Sequence, residues 1–91
     1  MANTLSAMKR IRQEQKRHAR NQAVKSRMRT FIKRAQDAIE RGEREEAVEA
    51  VRQAVSEIDR AAKKGTIHAN NAARHKSRLM QSLYQELNAS L

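Results

Sequence analysis

The side chains that could do chemistry in this sequence are mostly basic, and they crowd its first 34 positions. Eleven lysines and arginines fall there against one acid, Glu14. Like charges one turn apart on a helix cost roughly 0.2–0.5 kcal/mol each, so this density calls for an anionic partner. Phosphate fits, because it accepts charge-assisted hydrogen bonds and binding releases condensed counterions. The basic residues are Lys9, Arg10, Arg12, Lys16, Arg17, Arg20, Lys25, Arg27, Arg29, Lys33 and Arg34.

The charge changes sign along the chain. Residues 1 to 41 hold 12 basic and 3 acidic side chains, residues 42 to 62 hold 3 basic and 6 acidic ones, and residues 63 to 91 hold 5 basic and 1 acidic one. The net charge of the whole chain is +10. The acids of the middle segment cluster at its start. There they favour the positive end of a helix dipole, which is a simpler interpretation than a metal site. These acids are Glu43, Glu45, Glu46 and Glu49.

Catalytic side chains do not occur in a recognisable arrangement. The histidines, His18, His68 and His75, form no triad with a serine and an acid, and no paired carboxylates or glycine-rich phosphate loop can be identified. We therefore expect no enzymatic activity, no cofactor and no metal. The histidines near the basic segments are better interpreted as donors to a nucleic acid, although His18 is nearly as typical of ordinary polar surface.

Only two glycines and no proline interrupt a sequence that otherwise has helical character. Gly42 and Gly65 divide it into helices at about 6–41, 43–63 and 67–88. Short connections make successive helices antiparallel, so we predict an all-α, up-down-up three-helix bundle that forms a single domain. The apolar face of the first helix holds Val24, Met28, Phe31, Ile32, Ala35, Ala38 and Ile39. The apolar face of the second holds Ala47, Val48, Val51, Ala54, Val55, Ile58, Ala61 and Ala62. The apolar face of the third holds Ala69, Ala72, Ala73, Leu79, Met80, Leu83, Tyr84 and Leu87.

The first helix changes character near residue 22. Thr4 or Ser6 can cap its start, and its apolar stripe continues upstream, at about 100° per residue, through polar and basic positions. The second helix, at 1.5 Å per residue, is only about 30 Å long and covers the apolar half of the first. We predict that residues before about 22 project beyond the bundle and fray in the isolated protein. The upstream positions are Asn21, Arg17, Gln13 and Arg10.

The predicted topology gathers basic groups at one end of the bundle, where the third helix begins level with the departing first helix and the Lys63-Lys64 turn lies beside it. Lys76 falls within an apolar face, either with its stem packed in the protein or as a direct phosphate contact. Phe31 and Tyr84 are expected in the core rather than beneath bases. The outer face of the third helix holds Asn70, Asn71, Arg74 and Arg78, with His75 at its edge.

These features favour recognition of folded RNA by its shape and phosphate positions. Stacking aromatics, zinc ligands, a dimer seam and helix-turn-helix spacing are all missing, which disfavours single-strand readers and the usual duplex-DNA readers. A nucleoid-type architectural DNA-binding protein remains the alternative, because it would use the same charge. A membrane binder is disfavoured because residues 9 to 22 lack an apolar face. The absence of cysteine fits a reducing compartment.

Three motifs resemble the bacterial small-subunit ribosomal protein S20 family. The first, MANxxSAxKRxRQxxKRxxRN, spans residues 1 to 21, and the second, RTFIKRA, spans residues 29 to 35. The third, RAAKKGTIHANNAARHKSRLM, spans residues 60 to 80 and is the most specific, because it joins the second turn to the third helix. The resemblance covers nearly the whole chain.

The resemblance implies a structural component of the 30S subunit that binds 16S ribosomal RNA directly and early in assembly, as one copy per subunit in the bacterial cytoplasm. Leu5, Ala69 and Asn71 depart from the family pattern, since relatives commonly have lysine at these positions. The RNA contacts that the resemblance implies are Lys9, Arg10, Arg12, Lys16, Arg17, Arg20, Asn21, Lys25, Arg27, Arg29, Lys64, His68, Asn70, Arg74, Lys76, Ser77 and Arg78.

Overall fold

A computed structural model of the chain describes the backbone of residues 2–89 and the side chains of residues 4–89. The described residues form three helices and no strand. The all-α fold class predicted from the sequence is therefore confirmed. The helices are α1 (Ala2–Arg41), α2 (Arg44–Lys63) and α3 (Ala69–Ala89).

Both turns between helices depend on a glycine in the left-handed region. Gly42 has φ 73° and Gly65 has φ 75°, a conformation that strains most other residues. After α2, the Gly65 N–H donates to the carbonyl of Ala62 at 3.0 Å, and the Thr66 N–H donates to the carbonyl of Ala61 at 3.0 Å. This is a Schellman ending, which satisfies the last carbonyls of α2 and turns the chain sharply toward α3.

The beginnings of α1 and α3 differ from those expected. Thr4 and Ser6 lie inside α1 and do not cap it, because the helix already begins at Ala2. The residue before α3 is His68, and it accepts two hydrogen bonds. Its carbonyl accepts one from the Ala72 N–H at 3.1 Å, and its ring Nδ1 accepts the other from the Asn70 N–H at 3.1 Å. A histidine ring thus supplies the acceptor that an N-cap side chain normally provides.

The core of the bundle is built mainly from alanine. Of the eleven buried apolar residues six are alanines, and Ile58 is the largest side chain that is fully buried. Small side chains let helices approach closely but bury little apolar area per residue, so the core is thin. The buried apolar residues are Met28, Ala35, Ala38, Ile39, Ala47, Val51, Ala54, Ile58, Ala61, Ala72 and Leu79.

Several residues expected on the inner faces of α2 and α3 are exposed, and these predictions were wrong. α3 packs against the other helices along a narrow stripe through Ala72 and Leu79. Apolar side chains beside this stripe on the helix surface remain exposed to solvent. Phe31, by contrast, is partly buried against the core. The exposed residues are Val48, Met80 and Tyr84, at 45%, 51% and 67% exposure, together with Ala69 and Ala73.

The N-terminal half of α1 extends beyond the other helices. At 1.5 Å per residue α1 is about 60 Å long and α2 about 30 Å. The described chain measures 71 × 21 × 13 Å along its principal axes. Every side chain from residue 4 to residue 20 is exposed, so the predicted projection is confirmed. We call residues 4–20 the rod.

Candidate nucleic-acid interface

The rod presents cations on a helical segment in which every side chain is exposed. Its acidic residue is Glu14, and within the described part of the chain no carboxylate lies within ion-pairing distance of a rod lysine or arginine. The apolar side chains Leu5, Met8 and Ile11 are also exposed. The rod is therefore available along its whole length to an external polyanion. Its cations are Lys9, Arg10, Arg12, Lys16, Arg17 and Arg20.

The rod meets the bundle where the turn between α2 and α3 crosses α1. The Thr66 hydroxyl donates to Asn21 Oδ1 at 3.5 Å, which ties this turn to the helix. Beside the contact lies a groove of about 660 Å³, which we call the junction groove. The structure thus brings together basic residues from two distant parts of the sequence. The groove is lined by Arg17, Arg20, Asn21, Ala23, Val24, Lys64, Gly65 and Thr66.

A second basic surface follows the seam between α1 and α3. Lys25 and Arg29 of α1 and Asn71 and His75 of α3 line a groove of about 330 Å³. Farther along, His75 and Arg78 line another of about 220 Å³. Asn71 and Thr66 were absent from the contacts expected from the sequence, whereas His75 was expected as a donor to nucleic acid but was not among the contacts that the family resemblance implies. A sequence signal for the α3 residues does exist. Positions 71, 75, 78 and 82 follow one another at three- and four-residue steps, which places them on one face of a helix.

Arg27 makes its contacts with the bundle, although its side chain is 59% exposed. Its Nε lies 3.0 Å from Glu57 Oε1, and Arg60 Nη1 lies 3.6 Å from the same oxygen. Glu57 is 8% exposed, and a carboxylate buried to this degree is destabilising unless a cation pairs with it. Arg27 and Arg34 also stack on Phe31, with guanidinium carbons 5.4 and 5.2 Å from the ring centre. Arg27 therefore serves the fold.

Lys76 joins α3 to α2. Its Nζ donates to Asp59 Oδ1 at 2.8 Å, and its side chain is half-buried. Of the two interpretations offered by the sequence, the ion pair favours a lysine that packs within the protein. The residue lies on the side of α3 that faces α2, away from the seam with α1.

The other expected contacts of α3 lie on exposed surface. Asn70, Arg74 and Ser77 follow one another at four- and three-residue steps and are exposed. His68 is also exposed, and its Nδ1 is already an acceptor for the Asn70 N–H. In the neutral ring the hydrogen is then carried by Nε2, which leaves Nε2 free to donate to a phosphate or sugar oxygen.

The acidic residues gather at the opposite end, around the turn between α1 and α2. A hydrogen bond with Glu46 and the repulsion between the two carboxylates raise the pKa of Glu43 above its ordinary value. Across the part of the chain that the structure describes, no cluster of acids and histidines has the geometry to hold a metal ion.

None of the described helices combines the length and the apolar character needed to cross a membrane.

Comparison with known proteins identifies the family. The family model for "Ribosomal protein S20" matches residues 2–84. "Small ribosomal subunit protein bS20" of Alkalilimnicola ehrlichii is 55% identical over 83 residues, which cover 91% of this chain and 94% of the relative. The protein of the same name from Coprothermobacter proteolyticus is 52% identical over 86 residues, 94% of this chain and 98% of the relative. The protein of the same name from Bordetella avium is 52% identical over 79 residues, which cover 87% of this chain and 91% of the relative.

The matched residues include α1, α2, the junction groove and most of α3, so the likeness extends over the rod and over both basic surfaces. The resemblance noted from the sequence motifs is confirmed, as is the expectation that the chain is not an enzyme. The chain belongs to the ribosomal protein S20 family, a family of structural constituents of the small ribosomal subunit.

Proposed function

We propose that the chain binds 16S ribosomal RNA directly as a monomer within the bacterial 30S subunit, and that it stabilises RNA tertiary structure during assembly in the cytoplasm. The observation that carries the proposal is the rod, in which nearly five helical turns lie exposed on all sides while holding six cations and one acid. A helix of this kind gains no stability from burial against protein. Phosphates lining it supply both the missing neighbours and the missing negative charge.

Two surfaces of the protein then engage different parts of the RNA. The rod lies along one RNA element, while the seam between α1 and α3 faces another, and the junction groove lies between them. Because the positions of these surfaces are fixed by one packed bundle, binding holds the two RNA elements at a set distance and angle, and this geometry selects folded RNA.

The proposed contacts combine most of the residues expected from the sequence with those that the structure adds. We leave Arg27 and Lys76 out of the proposed contacts, because each already pairs with a carboxylate of α2. Thr66, Asn71 and His75 are added, because they line the grooves at the basic end. The proposed contacts are Lys9, Arg10, Arg12, Lys16, Arg17, Arg20, Asn21, Lys25, Arg29, Lys64, Thr66, His68, Asn70, Asn71, Arg74, His75, Ser77 and Arg78.

A competition experiment tests the proposal against an architectural DNA-binding role. The full-length protein is bound to folded 16S ribosomal RNA, and unlabelled duplex DNA or unfolded RNA of equal phosphate concentration is added at several salt concentrations. We expect both competitors to be much weaker than folded RNA. With six to ten phosphates contacted, affinity should fall by about 10³–10⁵ between 50 and 200 mM salt. Equal competition by duplex DNA would support the architectural DNA-binding role instead.

A further inference from the structure

The junction groove is more than a patch of positive charge. Its apolar lining, which we call its floor, consists of Ala23, which is exposed, and Val24, which is half-buried, and its cations are Arg17, Arg20 and Lys64. Phosphates bound to these cations alone would leave the apolar floor facing water. A ligand that fills the groove therefore needs an apolar, flat portion as well as an anionic one.

The size and the walls of the groove fit one nucleotide. Its volume of about 660 Å³ lies within the range of about 300–1,000 Å³ typical of pockets for small ligands. Arginine guanidinium groups stack on the faces of unpaired bases, and apolar side chains pack against the same faces. The groove has two arginines and an apolar floor, and no aromatic residue lines it.

The turn between α2 and α3 leaves room for a sugar and a phosphate. Apart from Gly65 itself and its two chain neighbours, no residue has a heavy atom within 4 Å of the position that a Cβ would occupy on Gly65, so the backbone there faces open space. Lys64 precedes this glycine and is exposed. Thr66 and Asn21, which are joined by a hydrogen bond, also line the groove, as do Arg17 and Arg20 of the rod.

We propose that the junction groove receives one unstacked nucleotide of the RNA. Its base lies on Ala23 and Val24 beside the guanidinium groups of Arg17 and Arg20, and its phosphate pairs with Lys64. This inference rests on the proposed function, since it assigns part of the RNA interface to a single extruded base. The nucleotide would fix the register of the protein on the RNA, which phosphate contacts along a uniform helix do not determine.

The test fills the groove without changing the charge. In Ala23→Leu a larger side chain occupies the floor. In the control Ser56→Leu the same side chain is introduced at an exposed position of α2, outside the rod, the grooves and the proposed contacts. Leucine is a strong helix former, so both variants should keep the fold, which circular dichroism and thermal unfolding verify. Affinity for folded 16S ribosomal RNA is measured for each full-length protein, and base-specific chemical probing maps the RNA in each complex at saturation.

We expect Ala23→Leu to weaken binding at least ten-fold and Ser56→Leu to change it less than two-fold. Probing should show one unpaired base shielded by the wild-type protein and by Ser56→Leu, but as reactive as in free RNA with Ala23→Leu. Wild-type affinity and an unchanged protection pattern for Ala23→Leu would overturn the groove inference alone. Equal losses in the two variants would also overturn it, since an added leucine anywhere on the protein would then explain the effect. Failure of the wild-type protein to bind folded RNA would overturn the proposed function itself.

Discussion

Arginines of α1 that look alike in the sequence face different surroundings. Arg17 and Arg20 border the junction groove and have no carboxylate partner in the described part of the chain, whereas Arg27 holds the buried Glu57 and lies over Phe31. The first two are free to pair with phosphate. Removing Arg27 instead leaves a buried carboxylate with only the longer contact to Arg60. Charge counting alone treats the three residues as equivalent, but their surroundings separate binding from folding.

Arginine variants should therefore divide into two classes. Arg17→Ala and Arg20→Ala are expected to leave the free energy of unfolding within about 0.5 kcal/mol of wild type. Each should weaken RNA binding and reduce the slope of log affinity against log salt by about 0.7–0.9. Arg27→Ala, which removes the same charge, should lower the free energy of unfolding by about 1 kcal/mol. Urea unfolding and salt-dependent binding measure the two effects, and a loss of stability in the first two variants would refute the division.

Glu43 supports a second prediction at the residue scale. It occupies the N-cap position of α2 without making a side-chain cap, and Glu46 lies three residues later. Glu43→Ser would complete a capping box with Glu46 and remove a repulsive carboxylate. We expect the thermal unfolding midpoint at pH 7 to rise by a few degrees. Glu43→Gln, which removes the charge without adding a good cap, should give a smaller gain.

The pH dependence of this gain follows from the raised pKa of Glu43. The folded state binds the Glu43 proton more tightly than the unfolded chain does. Protonated Glu43 therefore stabilises the wild-type fold below the ordinary glutamate pKa, and this stabilisation is lost as the pH rises through the raised pKa of the folded state. The advantage of Glu43→Ser over wild type should therefore be larger at pH 7 than at pH 4. Equal advantages at the two pH values would contradict this assignment.

At the scale of elements, α2 determines how much of α1 is covered by protein. It contributes Ala47, Val51, Ala54, Ile58 and Ala61 to the core, and its length ends the bundle just before the rod begins. α3 contributes only Ala72 and Leu79 to the fully buried set, which leaves most of its surface available for other contacts. The bundle is therefore stabilised chiefly between α1 and α2.

The central position of α2 leads to a matched pair of substitutions. Val51 is 2% exposed and Val48 is 45% exposed on the same helix. Val51→Ala should lower the free energy of unfolding by about 2 kcal/mol, through lost apolar burial and a small cavity. Val48→Ala should change it by less than about 0.5 kcal/mol. Urea unfolding gives both values, and similar losses at the two sites would contradict the assigned core. Neither substitution should weaken RNA binding while the protein remains folded.

The sequence predicts the elements well because helix breakers and apolar periodicity are local signals. Gly42 and Gly65 mark both turns, and the switch from apolar to basic residues near position 22 marks where the bundle ends. The same local signals do not distinguish apolar residues that contact the other helices from apolar residues next to them on the helix surface. Tyr84 was wrongly placed in the core for this reason. Nor do they reveal ion pairs between helices, such as Arg27 with Glu57, because these depend on how the helices are rotated against one another.

At the scale of the whole molecule, the chain is an elongated body with opposite charges at its two ends. The rod and the seam between α1 and α3 are lined by cations, and the turn between α1 and α2 holds a cluster of acids. Such a distribution orients the protein as it approaches a polyanion and keeps the acidic end away from it. The basic end then supplies the contacts, and the thin bundle fixes their relative positions.

The central claim is that the rod uses RNA as its packing partner. Hydrogen exchange of amides 9 to 20 tests it most directly, with amides 47 to 61 of α2 as the internal reference. In the free protein we expect the rod amides to exchange nearly as fast as those of an unstructured chain, because no buried contact opposes local opening, while the α2 amides are protected. On addition of folded 16S ribosomal RNA the rod amides should become strongly protected. Strong protection of the rod in the free protein, or no change on RNA binding, would contradict the account.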